Sequence, residues 1–164
     1  MDIQFLPINI QQNFSTCINF RKDAYLCSFG HLEGSDEFLC GYKARMTARK
    51  HESNWHYDHI WLEGNIIGQL EFHSQYLGQC GNFENTGYLN LIYLIPEYRG
   101  KGISGMAQQY VENVISTESC NQALLSVSRT NQRAIQHYVR HGWRYYSANL
   151  KHETTDFYIK ALKS

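Results

Sequence analysis

Residues 91–105, LIYLIPEYRGKGISG, limit what this chain can fold into more than any other stretch of it. The apolar run that ends at Ile95 reads as a buried strand, stopped by Pro96, which cannot donate a ladder hydrogen bond. Beyond it, Ile103, Met106, Ala107, Tyr110, Val111, Val114 and Ile115 recur at the i, i+3, i+4, i+7 spacing of an amphipathic helix. Strand and helix are therefore joined by a loop with three glycines in six positions, Gly100, Gly102 and Gly105. Such a loop lets backbone amides approach a ligand closely, and the first helical turn adds unpaired N–H donors and the positive end of the helix dipole. Arg99 and Lys101 supply formal charge. The arrangement suits phosphate, although glycine-rich strand-to-helix turns also serve plain packing.

Two other phosphate motifs fit poorly. No G-x-x-x-x-G-K-[ST] loop occurs. Residues 100–105 do spell G-x-G-x-x-G, but they come late in the chain, after a meander, where a dinucleotide-binding fold would place them first.

The rest of the chain reads as a mixed α+β pattern in one domain, residues 1–164, with no internal repeat and no Pro/Gly/Ser-rich linker. Residues 3–9 suggest a short strand. Residues 10–27 and 35–51 suggest helices, the second capped by Ser35. Residues 57–63 and 66–73 are β-rich runs joined by Gly64 and Asn65, a tight hairpin signal. A strand over 87–95, the helix over 103–115, a buried strand over 123–128, a helix over 131–141 ended by Gly142, and closing strands over 143–149 and 154–162 complete the pattern.

The second half of this pattern carries a resemblance. Residues 91–105 resemble motif A of the GNAT superfamily, R/Q-x-x-G-x-G/A after a strand ending in V-x-P or a close variant; here it reads Arg99-x-x-Gly102-x-Ser104. Ser104 departs from the pattern, and Gly105 follows it directly. Leu125-Ser126-Val127 followed by Asn131-x-x-Ala134-x-x-x-Tyr138-x-x-x-Gly142-Trp143 looks like motif B, with Trp143 in place of the commoner Phe. Together with the hairpin over 57–73, the resemblance covers about two-thirds of the chain. It implies a GNAT-type α+β fold, a central, mostly antiparallel twisted sheet flanked by helices on both faces, that transfers acetyl from acetyl-CoA to a primary amine of a small molecule or peptide.

The resemblance also implies roles. Main-chain groups of Ile92, Tyr93 and Leu94 are expected to pair with the pantetheine arm as an added strand would. Arg99, Gly100, Lys101, Gly102, Ile103, Ser104 and Gly105 are expected to take the pyrophosphate. A splayed strand gap beside Leu94 would let a backbone N–H hold the thioester oxygen. Tyr138 occupies the position of the proton donor to the leaving thiolate; the alternative is a packed aromatic. Asn131 is either a cofactor contact or a helix N-cap. Many relatives carry a glutamate on the motif-A strand, whereas this strand offers Tyr88 and Asn90 on one face, as substrate-side candidates. A base must come from elsewhere: Glu71 and His73 share a face of the neighbouring strand by period-two alternation. Members of the family that rely on waters and proximity need no base.

Several function classes are disfavoured. Fifteen Lys plus Arg balance fifteen Asp plus Glu, giving zero formal net charge, which argues against nucleic-acid binding by counterion release. No apolar run approaches the ~20 residues that span a bilayer, and the N-terminus lacks a signal-peptide pattern, so a cytoplasmic location and no membrane partner are expected. His56, Asp58 and His59 do not make a metal site, because alternation sends the two histidines to opposite faces. The five cysteines, Cys17, Cys27, Cys40, Cys80 and Cys120, contain no C-x-x-C pair and read as buried thiols. A homodimer is compatible with the resemblance. A noncatalytic acyl-CoA-binding domain is the main alternative; it would keep 100–105 and need neither Tyr138 nor a base.

Overall fold

The computed structural model describes residues 2–78 and 83–162. One seven-stranded sheet runs through them in the order β1-β2-β3-β4-β5-β7-β6. Its strands are β1 (Ile3–Pro7), β2 (Trp55–Leu62), β3 (Asn65–His73), β4 (Thr86–Leu94), β5 (Gln122–Ser128), β6 (Arg144–Ala148) and β7 (Thr155–Ala161). Every neighbouring pair is antiparallel except β4 and β5. That parallel pair requires a crossover, which α4 (Ile103–Thr117) supplies. The mixed, mostly antiparallel sheet expected from the sequence is thus present.

Helices cover both faces. On one face α4 and α5 (Gln132–Arg140) pack with Leu70, Phe72, Leu89, Leu94, Leu125, Val127 and Trp143 into the larger core cluster. On the other face lie α1 (Ile10–Phe29) and two short helices, α2 (Ser35–Phe38) and α3 (Tyr42–Arg49). There Phe20 of α1 meets Leu91 and Tyr93, while Cys17, Tyr42, Met46 and Tyr57 form a second cluster. None of the helices among the described residues is long and apolar enough to cross a membrane.

Several expectations are corrected. The helix over 35–51 is broken in two, because the chain turns left-handed at Gly41 (φ 74°). Gly34, not Ser35, holds the N-cap of α2, and Ser35 is buried one position further on. The hairpin turn is Glu63-Gly64, with both residues at positive φ as a type I′ turn requires, so Asn65 already pairs with Leu62. Cys17 and Cys120 are buried, but Cys27 and Cys40 are exposed; Cys80 lies outside the described residues.

Candidate active site

The site begins where two strands part. β4 and β5 pair at four positions only, from Thr86↔Gln122 to Leu89↔Leu125. Beyond Leu125, β5 continues with β7 as its partner, while β4 continues with β3. The edge of β4 over 90–94 that would face β5 is therefore unpaired, in the middle of a sheet where backbone groups are normally satisfied. The fork thus opens directly after Leu89, well before Leu94. At Leu94 itself the carbonyl oxygen accepts a 2.9 Å hydrogen bond from Arg99 Nε.

A bulge marks the same place. Glu71 pairs with Leu91 and Phe72 with Leu89, which leaves Asn90 without a partner on β3. Leu89 joins the cluster under α4, whereas Leu91 joins the one under α1. The extra residue switches the strand's faces, so the period-two count that set Tyr88 and Asn90 side by side fails. Asn90 is exposed; Tyr88 is partly covered and hydrogen-bonded to Ser126 at the first position of β5 past the fork.

The loop after β4 passes through a short 3-10 turn at Pro96–Tyr98 into α4. Gly102 is the N-cap of α4, at φ 84°, and no side chain among the described residues caps the helix. The amides of Ile103, Ser104 and Gly105 thus lack both intrahelical and side-chain acceptors. Nothing lies within 4 Å of where a Cβ would sit on Gly100 or Gly102, so the concave side of the loop is open. Ile103 sends its side chain into the core and offers only its backbone to this end of the helix.

Charge at the loop is divided. The Arg99 guanidinium is tied to Asp23 of α1 at 3.1 Å and to the Leu94 carbonyl, and Asp23 also accepts a 2.5 Å hydrogen bond from Tyr93. This fastens α1 to the end of β4 and leaves exposed Lys101, whose ammonium lies over the Tyr98 ring, as the cation of the loop without an anionic partner among the described residues. Sequence reasoning missed Asp23, which carries no local motif, and His141. His141 follows α5, and its Nε2 lies 3.2 Å from the position a Cβ on Gly105 would take. Its Nδ1 donates to the His137 carbonyl, which leaves Nε2 as the ring nitrogen facing the start of α4.

Asn131 is the N-cap of α5, its side chain accepting from the Ala134 amide at 3.2 Å. Tyr138, on the same helix, packs against Trp143. Desolvation pushes its phenol up to about 12, and its hydroxyl makes no hydrogen bond among the described residues.

Glu71 and His73 lie on the face of β3 covered by α1 and α3. Glu71 is 2% exposed, and its Oε2 accepts from Tyr42 at 2.6 Å and from Gln69 at 2.7 Å. Its Oε1 lies 3.5 Å from Arg21. Gln69 in turn accepts from His59, whose ring meets Cys17. A carboxylate with both oxygens engaged in a buried network holds α1 and α3 to the sheet. His73 differs. Its Nδ1 donates to the Gln75 carbonyl at 3.0 Å, its ring stacks on Trp55, and burial lowers it to about 4, so at neutral pH Nε2 carries a lone pair with no partner among the described residues. His56 and His59 do sit on opposite faces: His56 pairs with Glu118 beyond α4, and His59 belongs to the Glu71 network.

Comparison with known proteins bears on the family and the fold. A family model described as Acetyltransferase (GNAT) family matches residues 17–143, well over half of the 164-residue chain. Among solved structures, the PaiA N-acetyltransferase of Thermoplasma acidophilum, in complex with coenzyme A, superposes with a TM-score of 0.78 at 16% identity, covering 98% of this chain and 99% of its own. An acetyltransferase from Thermus thermophilus gives 0.75 at 14% identity, covering 99% and 98%. YncA of Salmonella typhimurium, solved with its cofactor acetyl-CoA, gives 0.73 at 12% identity, covering 100% and 96%. At these identities the structural likeness is one of fold.

Proposed function

The chain belongs to the GNAT family of acetyltransferases, and from that premise we propose that it moves an acetyl group from acetyl-CoA to a primary amine of a small molecule or peptide, by direct attack in a ternary complex. The observation that carries the reading is the joint presence of an unpaired β4 edge over 90–94 and, at the end of the same strand, an uncapped helix start. The edge offers backbone hydrogen bonds to an extended amide-bearing arm. The helix start offers unpaired amides and a positive dipole to a pyrophosphate. The residues fit the group: the backbone of Ile92 and the Leu94 N–H, which lie on the edge turned away from β3, for the arm, and Gly100, Lys101, Gly102, Ile103, Ser104 and Gly105 for the phosphates.

When bound, acetyl-CoA supplies an activated acyl group: a C–N bond forms as the C–S bond breaks, the amine gives up a proton and the thiolate gains one. Tyr138 is the proton donor in this reading, since a phenol held near 12 is always protonated at working pH. Arg99 acts as a positioning residue, clamping Leu94 and Asp23 rather than touching phosphate. Asn131 serves α5 as its cap. Of the two base candidates only His73 keeps a ring nitrogen without a hydrogen-bond partner among the described residues, and burial, which lowers it to about 4, keeps that nitrogen unprotonated at working pH.

The test is the thermal midpoint with and without saturating acetyl-CoA. At about 100 times the dissociation constant the ligand adds roughly 2.7 kcal/mol, which for a chain of this size raises the midpoint by about 5–10 °C. The rise should vanish in Gly102→Asp and survive in Tyr138→Phe, which in an amine screen should lose about 10²-fold or more in kcat. No rise at saturating ligand would sink the reading. A rise with no turnover across a broad amine panel would make this a noncatalytic acyl-CoA-binding member of the family.

A further inference from the structure

Beside the fork, the face of the sheet that carries Tyr88 and Phe157 opens into a cleft of about 870 Å³, within the range of small-molecule sites. Among the described residues, five aromatic rings line it: Tyr76, Phe83, Tyr88, Tyr146 and Phe157. Four of them contact one another. Tyr76 stacks on Tyr88 with ring centres 4.9 Å apart and planes 11° from parallel, and Phe83 stands edge-on to both Tyr76 (5.3 Å) and Tyr146 (5.7 Å). The cleft meets the fork through side chains. Tyr88 is hydrogen-bonded to Ser126, the first β5 residue past the last β4–β5 pair, and Ser126 Oγ accepts at 3.2 Å from Asn149, which also lines the cleft.

Charge narrows the occupant further. No aspartate or glutamate is among the described lining residues; the charged side chain there is Lys151, with His152 next to it. A polyamine or a lysine-rich peptide carries several ammonium groups and needs carboxylates to hold them. An amine joined to a flat ring needs aromatic faces for stacking and edge contacts, and benefits from a site that does not stabilise its ammonium form. We propose that this cleft is the acceptor site and that it takes a primary amine carried on a flat aromatic ring by a short linker, an arylalkylamine. The ring lies among Tyr76, Tyr88, Tyr146 and Phe157, and the amine points past Ser126 toward the fork. With Lys151 nearby and no carboxylate among the described lining residues, the ammonium form is disfavoured, so the amine reaches the acyl carbon with its lone pair free. This rests on the acetyl-transfer reading above and gives it a substrate class.

The experiment is steady-state kinetics of thiol release from acetyl-CoA with tyramine, tryptamine, spermidine and a lysine-containing peptide as acceptors. Binding of acetyl-CoA is measured separately by calorimetry. The expected result is a kcat/KM for tyramine or tryptamine at least tenfold above those for spermidine and the peptide. Tyr146→Ala, at a ring 43% exposed and so tolerant of truncation, should raise the KM for the aromatic amine about tenfold or more and leave the acetyl-CoA dissociation constant unchanged. Normal acetyl-CoA binding with spermidine or the peptide preferred, with no amine acetylated, or with an unaltered tyramine KM in Tyr146→Ala, overturns the inference and leaves the cofactor site standing. Absence of acetyl-CoA binding overturns both.

Discussion

At Glu71 the same carboxyl group supports two readings that one substitution separates. If it were the base, Glu71→Gln would leave a stable fold with low kcat. Its oxygens instead accept from Tyr42 and Gln69 and face Arg21. The amide oxygen could keep the bonds from Tyr42 and Gln69, but the NH2 replacing Oε1 would then face the Arg21 guanidinium donor to donor and strip it of its counter-charge. Unfolding in urea should therefore show a loss of about 2–4 kcal/mol; an unchanged midpoint would restore Glu71 as a base. Two histidines make a second prediction. Burial lowers His73 and His137 to about 4 each, from an ordinary 6.5. Between those values the unfolded chain binds more protons than the folded one, so the stability gained by keeping them neutral is complete above about 6.5 and drains away as pH falls toward 4. The thermal midpoint should drop over that window, at roughly 2–4 °C per kcal/mol, and the slope should flatten in a His73→Gln, His137→Gln double variant. An unaltered slope would show that other groups set it.

Glycines that look alike in the sequence act differently in their elements. Gly68 is a mid-strand residue of β3, where a Cβ would come within 2.2 Å of the Tyr93 carbonyl oxygen and 3.0 Å of Ile60 and Leu94. The approach is against backbone, which cannot swing aside. Gly68→Ala should cost at least about 3 kcal/mol, at the severe end of overpacking. Gly100 is a loop residue at φ 75° with open space around it, so Gly100→Ala should cost only the roughly 1 kcal/mol of a left-handed alanine. Denaturant midpoints of the two variants, measured side by side, check the ranking; equal losses would refute it. The same contrast explains how far the elements were legible. The α4 pattern and Pro96 were clear because local sequence carries them, whereas the break at Gly41 and the one-residue shift of the hairpin turn depend on which glycine or neighbour adopts positive φ.

At the scale of the molecule the sheet is two halves, β1 to β4 and β5 to β7, joined along four residue pairs and spanned by α4. An open seam inside a sheet costs unpaired backbone groups, which a ligand that pairs with them would satisfy. Amide hydrogen exchange should therefore slow on addition of acetyl-CoA at 90–94 and 100–105 together, with β1 and β2 little changed. Uniform slowing over all strands would indicate general stabilisation rather than closure of the seam.

What the sequence determined by itself was whatever is encoded locally. The strand, glycine loop and helix over 91–105 and the Asn131 cap all rest on residues within a few positions of one another, so periodicity and motif spacing were enough to find them. What only the tertiary structure decided depends on partners far apart in the chain. Arg99 is claimed by Asp23, 76 residues away, and Glu71 by Tyr42 and Arg21; the bulge at Asn90 reverses which face each β4 residue takes, and aromatics drawn from separate stretches meet in one cleft. Side-chain type announces what a residue is able to do, but burial and neighbours decide whether its oxygens, rings and lone pairs are free to do it, and those are set when the chain closes on itself.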